Sequence, residues 1–377
     1  MAHWVVRTNN GPPRVNHAAV LINTKIFSFG GFCNRENYTI FRPIEVYVLD
    51  IETLKWAILQ KNHWHIPQVP FQRYGHSVVS YEGKAYLWGG RNDINACNSL
   101  YVFDVKTLNW EMPDTTGIVP SSRDGHASAV VGDYMYTFGG YIEALHMFSQ
   151  DLFRINLRTK YWEFISTQGE LPTWRDFHTF TPIGTDIYVF GGRGDASGAI
   201  DTQSEEYCNS LTFLDTLKME WIRPHTNGRI PIGRRSHSAF VFEDRLYIFG
   251  GYNSLFDTHF NDLHCYTPST ENWQKVKTYG ISGPPCPRRR QSICAIKNRV
   301  FLFGGTSPDP NLLEYHHNLL ERLQDHGDLY VLDLWPSLKT LSILSVIKHK
   351  LDYSCLPKDI KFDINFLIKQ EASSFRN

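Results

Sequence analysis

Arg91, Arg193, Arg235 and Arg289 are the residues of this chain best suited to chemistry. A guanidinium grips a carboxylate through two parallel N–H bonds, shorter and stronger than neutral ones. Tyr74, Tyr141 and Tyr252 would wall such a site and add hydroxyl donors. Asp124 and Asp176 would accept a basic side chain beside the captured anion. Two carboxylates also make a glycoside-hydrolase pair, but the arginines around these two favour anion binding. The histidines that stand apart from any pattern, such as His63, His146 and His225, show no metal-ligand spacing, and the seven Cys contain no C-x-x-C. No catalytic residue, metal or cofactor is expected.

These candidates occupy two columns of a repeat. Gly pairs open at Gly30, Gly89, Gly139, Gly191, Gly250 and Gly304, each after an aromatic, at spacings of 50 to 59 residues. Before each pair stands an Arg with a His three places on, from Arg14/His17 to Arg234/His237. The last copy has Gln291 in the His place. One candidate column follows the Gly pair: Phe32, Arg91, Tyr141, Arg193, Tyr252, Thr306. The other follows the repeated Arg: Val15, Tyr74, Asp124, Asp176, Arg235, Arg289. Residues that repeat are scaffold, so those that differ between copies at loop positions are the ones to bind something. Both columns should ring one mouth of a channel, and the arginines make that mouth locally basic.

The elements that must position them are short strands. β-Branched and aromatic runs suit a pleated, half-buried surface, and the Gly pairs allow sharp turns and close approach. A third strand follows, then a fourth with Trp: Trp56, Trp110, Trp162, Trp221 and Trp273. A period near 50 residues with four strands per copy predicts an all-β, six-bladed propeller. The sixth copy lacks a Trp strand after Asp333, and Trp4-Val5-Val6 supplies one. The N-terminal strand is therefore expected to close the ring and remove its free edge. Two copies carry insertions, Lys61–Gln72 and Gly194–Asn209, expected as surface loops.

Composition excludes other classes. The chain has 377 residues, 42% apolar, with no net formal charge. Zero net charge argues against a generic nucleic-acid binder, and no apolar run is long enough to span a membrane. Seven scattered Cys fit a reducing compartment, the cytoplasm with the nucleus as a second site.

Residues 334–368 change character. Ser337 reads as an N-cap, and Leu338, Leu341, Leu344, Ile347 and Leu351 recur at helical spacing. A second helix starts at Leu356-Pro357, with Ile360, Ile364 and Leu367 on one face. The expected organisation is a propeller over 1–333, a helical hairpin over 334–368 and a disordered tail over 369–377.

This tail resembles the two-part box of cullin substrate receptors. Ser337, Leu338 and Val346 match its elongin-binding half, with Ser342 where Cys is usual. Leu356, Pro357, Ile360 and Ile364 match its cullin half, and Asp359 stands where the cullin-5 type has a second Pro. Together with LWGGRND, RDGH, WRDFH, GRRSHSAF, CPRRRQ, LFGGTSP and PSLKTL, the chain is similar to the kelch-repeat receptors of cullin-2 ubiquitin ligases. That resemblance implies a six-bladed kelch β-propeller that does no chemistry itself. It also implies elongin B, elongin C, cullin-2 and a RING subunit as partners, and protein C-termini ending in Gly as ligands. In such receptors Arg and Ser hold the terminal carboxylate. Arg193 matches the first such Arg, Arg235 stands where the Ser would be, and Ser236 would help. The alternative reading is a kelch scaffold on actin or chromatin.

Overall fold

The computed structural model describes residues 2–59, 64–280, 283–309 and 323–373, the last five as backbone only. Six antiparallel meanders form six blades of a β-propeller. Blade 1 comprises Ala18–Ile22, Lys25–Phe29, Val46–Asp50 and Lys55–Leu59. Blade 5 repeats it as Ser238–Phe242, Arg245–Phe249, Leu263–Thr267 and Asn272–Val276.

Blade 6 takes its fourth strand from the other end of the chain, as expected. Ala2–Thr8 runs antiparallel to Leu329–Asp333, with a bulge between Trp4 and Val6. Blades 3 to 6 also carry a fifth strand of two or three residues, such as Thr116–Gly117, parallel to the Trp strand. The sequence reading had four strands per blade. Pieces this short carry no hydrophobic alternation by which to be seen.

The fixed place of the Trp has a local cause. Asp50 Oδ1 accepts from Glu52 N and Thr53 N, and Leu54 then takes a positive φ of 57°. Asp104, Asn156 and Asp215 make the same turn, before Leu108, Lys160 and Met219. Asx turns of this kind set the register of the fourth strand in blades 1 to 4, so its Trp lands in the same place in each.

That place is the blade interface. Each Trp packs on the aromatic that precedes the Gly pair of the preceding blade, from Trp110 on Phe29 to Trp273 on Phe190. Trp56 meets Phe303, and Trp4 meets Phe249. The six pairs have ring centroids 5.0–5.7 Å apart. Offset and edge-on aromatic contacts at this range are favourable beyond the area they bury.

The helical hairpin comprises α1 (Leu338–Lys348) and α2 (Lys358–Ser373). Ser337 caps α1 by accepting from Thr340 N. Phe366 and Leu367 of α2 pack on the core shared by blades 6 and 1, and Ile364 is buried. Of the apolar face predicted for α1 only Leu344 is buried, with Ile343 beside it rather than Leu341 or Ile347. Helix α2 runs on to Ser373, so residues 369–373 are helical rather than disordered tail. Residues 374–377 lie outside the described residues, as do residues 61–63 of the first insertion.

Candidate functional site

The four residues from the repeated Arg to the His hold four different places. The first, the Arg, is a latch. Its Nη1 donates to the carbonyl of its own blade's first Gly, sixteen residues on, at 2.9–3.1 Å in five blades. Its own carbonyl accepts from the second Gly of the preceding blade, as Gly192 N to Arg234 O at 2.9 Å. The fourth, the His, lies over that blade's first Gly. A Cβ on Gly191, at φ +66°, would sit 2.4 Å from Arg234 O and 2.6 Å from His237 Cε1. Gln291 serves in the His place by donating Nε2 to Phe249 O at 3.1 Å. Burial, then Arg123, pushes His126 down to about 3, and burial, then Arg234, does the same to His237. These imidazoles are neutral scaffold, as the repeat implied.

The third position builds a collar. Asn16, Gly75, Gly125, Phe177, Ser236 and Arg290 each donate a backbone N–H to the carbonyl of the preceding one, and Asn16 donates to Arg290. The ring of six bonds, 2.7–3.1 Å long, closes on itself around the channel. All six residues have positive φ, between 49° and 68°.

The second position is the rim. Each member pairs with the residue after its own blade's Gly pair, Tyr74–Arg91 within a strand ladder and Val15–Phe32, Asp124–Tyr141, Asp176–Arg193, Arg235–Tyr252 and Arg289–Thr306 as β-bridges. The two candidate columns are thus six couples around one mouth.

The mouth is divided by charge. On blades 4 to 6, Arg193 is held by the fully buried Asp176, with Nη2–Oδ2 at 2.5 Å and Nε–Oδ1 at 3.2 Å. Arg193 Nη1 also reaches Glu205 Oε1 at 3.3 Å, and Arg235 Nη1 meets the same oxygen at 3.6 Å. The Arg289 guanidinium lies 4.2 Å from the centre of the Tyr252 ring. Half-buried Arg290 rises from the collar between the two sides, lining the neighbouring cavity with Asp325 and feeling the charges of Arg289 and Arg235. The Nε atoms of Arg289 and Arg290 have no hydrogen-bond partner among the described residues. Burial, then the neighbouring Arg235, pushes Arg289 down to about 10. Burial, then Arg289 and Arg235, pushes Arg290 down to about 9. Among the described residues neither has an ion-pair partner, so this side holds more arginines than Asp176 and Glu205 can pair with.

On blades 1 to 3 the charges are balanced. Arg91 pairs with Glu143 at 2.7 Å and donates Nε to Asn92 O. Tyr74 donates its hydroxyl to Asp93 at 2.8 Å. Asp124 is buried, and burial, then the Asp176 charge, lifts its carboxyl to about 7. Tyr74, Arg91, Asp93 and Asp124 share a cavity of about 440 Å³ with Phe32, Phe177, Arg290 and Asp325.

Several expected roles change. Asp176 is closed off by Arg193 and is not available to a ligand's basic residue. Arg193 is doubly paired, so Arg235 is the freer of the two. Tyr252 is buried and donates to Asp257 at 2.9 Å, leaving its ring rather than its hydroxyl to the site. Ser236 is a buried member of the collar. Tyr141 meets Phe148 edge-on, with its hydroxyl toward His146. The second insertion is a hairpin, Arg193–Asp195 with Glu205–Tyr207, rather than a loop.

In the tail, Leu338 is 80% exposed, and Ser342 and Pro357 are exposed. Leu356 and Ile360 are half-buried. Val346 lines a groove of about 530 Å³ with Leu351, Tyr353 and Ile368.

Comparison with known proteins agrees with this architecture. The family model described as KLHDC2/KLHL20/DRC7 Kelch-repeats domain matches residues 75–305, and Kelch motif matches residues 13–62. The chain belongs to the kelch-repeat family. Kelch domain-containing protein 3 of Rattus norvegicus is 45% identical over 372 residues, 97% of this chain and 96% of the relative. The protein of that name from Homo sapiens is 44% identical over 371 residues, with the same shares. Host cell factor of Drosophila melanogaster is 30% identical over 254 residues, 63% of this chain and 16% of that protein.

Two residues of this kelch propeller's mouth escaped the sequence reading. Arg290 belongs to the third column, Asn, Gly, Gly, Phe, Ser, Arg, which varies as much as the two that were read. Glu205 lies in the insertion, where no repeat exists to compare it with.

Proposed function

We propose that this kelch propeller is the substrate-recognition subunit of a cullin-2 RING ubiquitin ligase. It takes up C-terminal ends of other proteins, Gly-ended ones above all, at the arginine-rich side of its mouth. The observation that carries the reading is the set of Arg235, Arg289 and Arg290, which among the described residues have a single ion pair between them. Buried cations without anions are costly, and a terminal carboxylate supplies both charge and paired acceptors. Asp124, on the balanced side, would accept a basic residue upstream of the terminal Gly. In this reading the chain does no bond chemistry and needs no cofactor. Ubiquitin transfer belongs to its partners, in the cytoplasm and the nucleus.

The exposed Leu338 and the groove beside Val346 support docking of elongin C and elongin B on α1. Leu356, Pro357 and Ile360 would face cullin-2. Binding of a Gly-ended peptide tests the first half: it should be strong with a free C-terminus and lost when that end is amidated. Co-purification of elongin C, abolished by Leu338→Asp with Pro357→Ala, tests the second. Equal binding of both peptides together with no elongin would leave the scaffold reading.

A further inference from the structure

The carboxylate of Glu205 already sits where an incoming one would go. It is carried by the strand Glu205–Tyr207, in the hairpin inserted after the Gly pair of blade 4. Its two oxygens do different things. Oε2 accepts from the Tyr207 hydroxyl at 2.6 Å and from the Ser254 hydroxyl, which ties the hairpin to blade 5. Oε1 faces the arginines, with Arg193 Nη1 at 3.3 Å and Arg235 Nη1 at 3.6 Å.

The Arg235 arm is the longest of the four contacts and lies beyond hydrogen-bond range. Arg193 has a second carboxylate, Asp176, to hold it. Arg235 has none among the described residues. Its guanidinium lies 5.9 Å from the centre of the Tyr207 ring and 5.7 Å from that of the Tyr252 ring, which Arg289 also approaches. Arg235 is therefore shared rather than owned, and it is the cation that can change partner while Glu205 keeps its other three.

We infer that Glu205 is an internal counter-ion for Arg235, and that a ligand binds by exchanging its own carboxylate for that of Glu205 on this one guanidinium. The inference rests on the proposed capture of a terminal carboxylate and names the residue that sets its strength. In the empty site Glu205 spares Arg235 an unpaired, partly desolvated charge. On binding, one ion pair is given up for another, so the net gain is smaller than that of a naked cation. A ligand without a carboxylate has nothing to exchange.

The test is Glu205→Gln in the full chain, titrated with a Gly-ended peptide bearing either a free or an amidated C-terminus. The free-acid peptide should bind about tenfold tighter than to wild type, a change of about 1.4 kcal/mol. The amidated peptide should bind as before. Glu205→Asp, which keeps the charge but draws it back from Arg235, should give a smaller gain in the same direction. Unchanged or weaker binding of the free acid by both variants, with the melting temperature of wild type, overturns the exchange while leaving carboxylate capture standing. If wild type itself does not distinguish the two peptides, carboxylate capture fails and the exchange with it.

Discussion

Arg234 and Arg235 are consecutive in blade 5, and their side chains meet opposite conditions. Arg234 is 1% exposed, donates to Gly250 O and to both oxygens of Asp262, and lies over the Phe260 ring. Arg235 is 15% exposed and has one ion pair among the described residues, at 3.6 Å. The first has nearly all its donors used and braces its own blade, the bond to blade 4 being made by its backbone carbonyl. The second has donors to spare at an open mouth. A buried cation whose donors are satisfied is structure, and one whose donors are idle is a site, even at the next residue.

The sharpest way to break this contrast is to remove the latch. Arg234→Met leaves Asp262 half-buried without its main cation and should cost about 3–5 kcal/mol of stability, read by denaturant unfolding. A loss under 1 kcal/mol would mean that the latch is not what braces blade 5. Arg235→Met should do the reverse. Stability should change by less than about 1 kcal/mol, while a Gly-ended peptide should bind about 2–4 kcal/mol more weakly, measured by calorimetry.

The carboxyls of the two layers sharpen the contrast through pH. Burial opposes the charge on Asp262, but His264 and Arg234 hold it well below the ordinary carboxylate range. Its contribution is present above about pH 4 and is lost as pH falls further. Asp124, lifted to about 7 by burial and by Asp176, has the opposite sign. The folded chain keeps that proton where the unfolded chain has released it, so the contribution is lost as pH rises from about 4 to 7. The slope reaches at most about 1.4 kcal/mol per pH unit. Asp124→Asn should flatten that part of a stability-against-pH curve, and an unchanged curve would refute the assignment.

The smallest effect on folding is expected on α1. Leu338→Asp should leave stability within about 0.5 kcal/mol, since that side chain is 80% exposed, yet should end elongin co-purification. Leu344→Asp, at 7% exposure, should unfold the hairpin from the propeller.

Most of the fold was legible because its cause is local and recurs. The Gly pairs, the Arg and His three apart and the Trp offset each follow from a turn or a close approach inside one copy. Even ring closure could be read, from a missing Trp strand at one end and Trp4 at the other. The site was legible only as a place. That Arg91 and Arg193 stand on one rim follows from their column. That Asp176 closes off Arg193 and Glu205 reaches Arg235 depends on side chains meeting across bridges and an insertion. Spacing carries no such information. On α1 the 3.6-residue period was right, but periodicity does not say which part of an apolar stripe finds a neighbour.

The six-amide collar bears on what the mouth can become. Its six bonds are all main-chain, like a washer under six plugs. Phe177 could be traded for a smaller group, or Arg290 for a neutral one, and the opening would keep its diameter while its lining changed. The propeller can therefore be refitted for another polypeptide end one plug at a time, without retuning the machine that holds it.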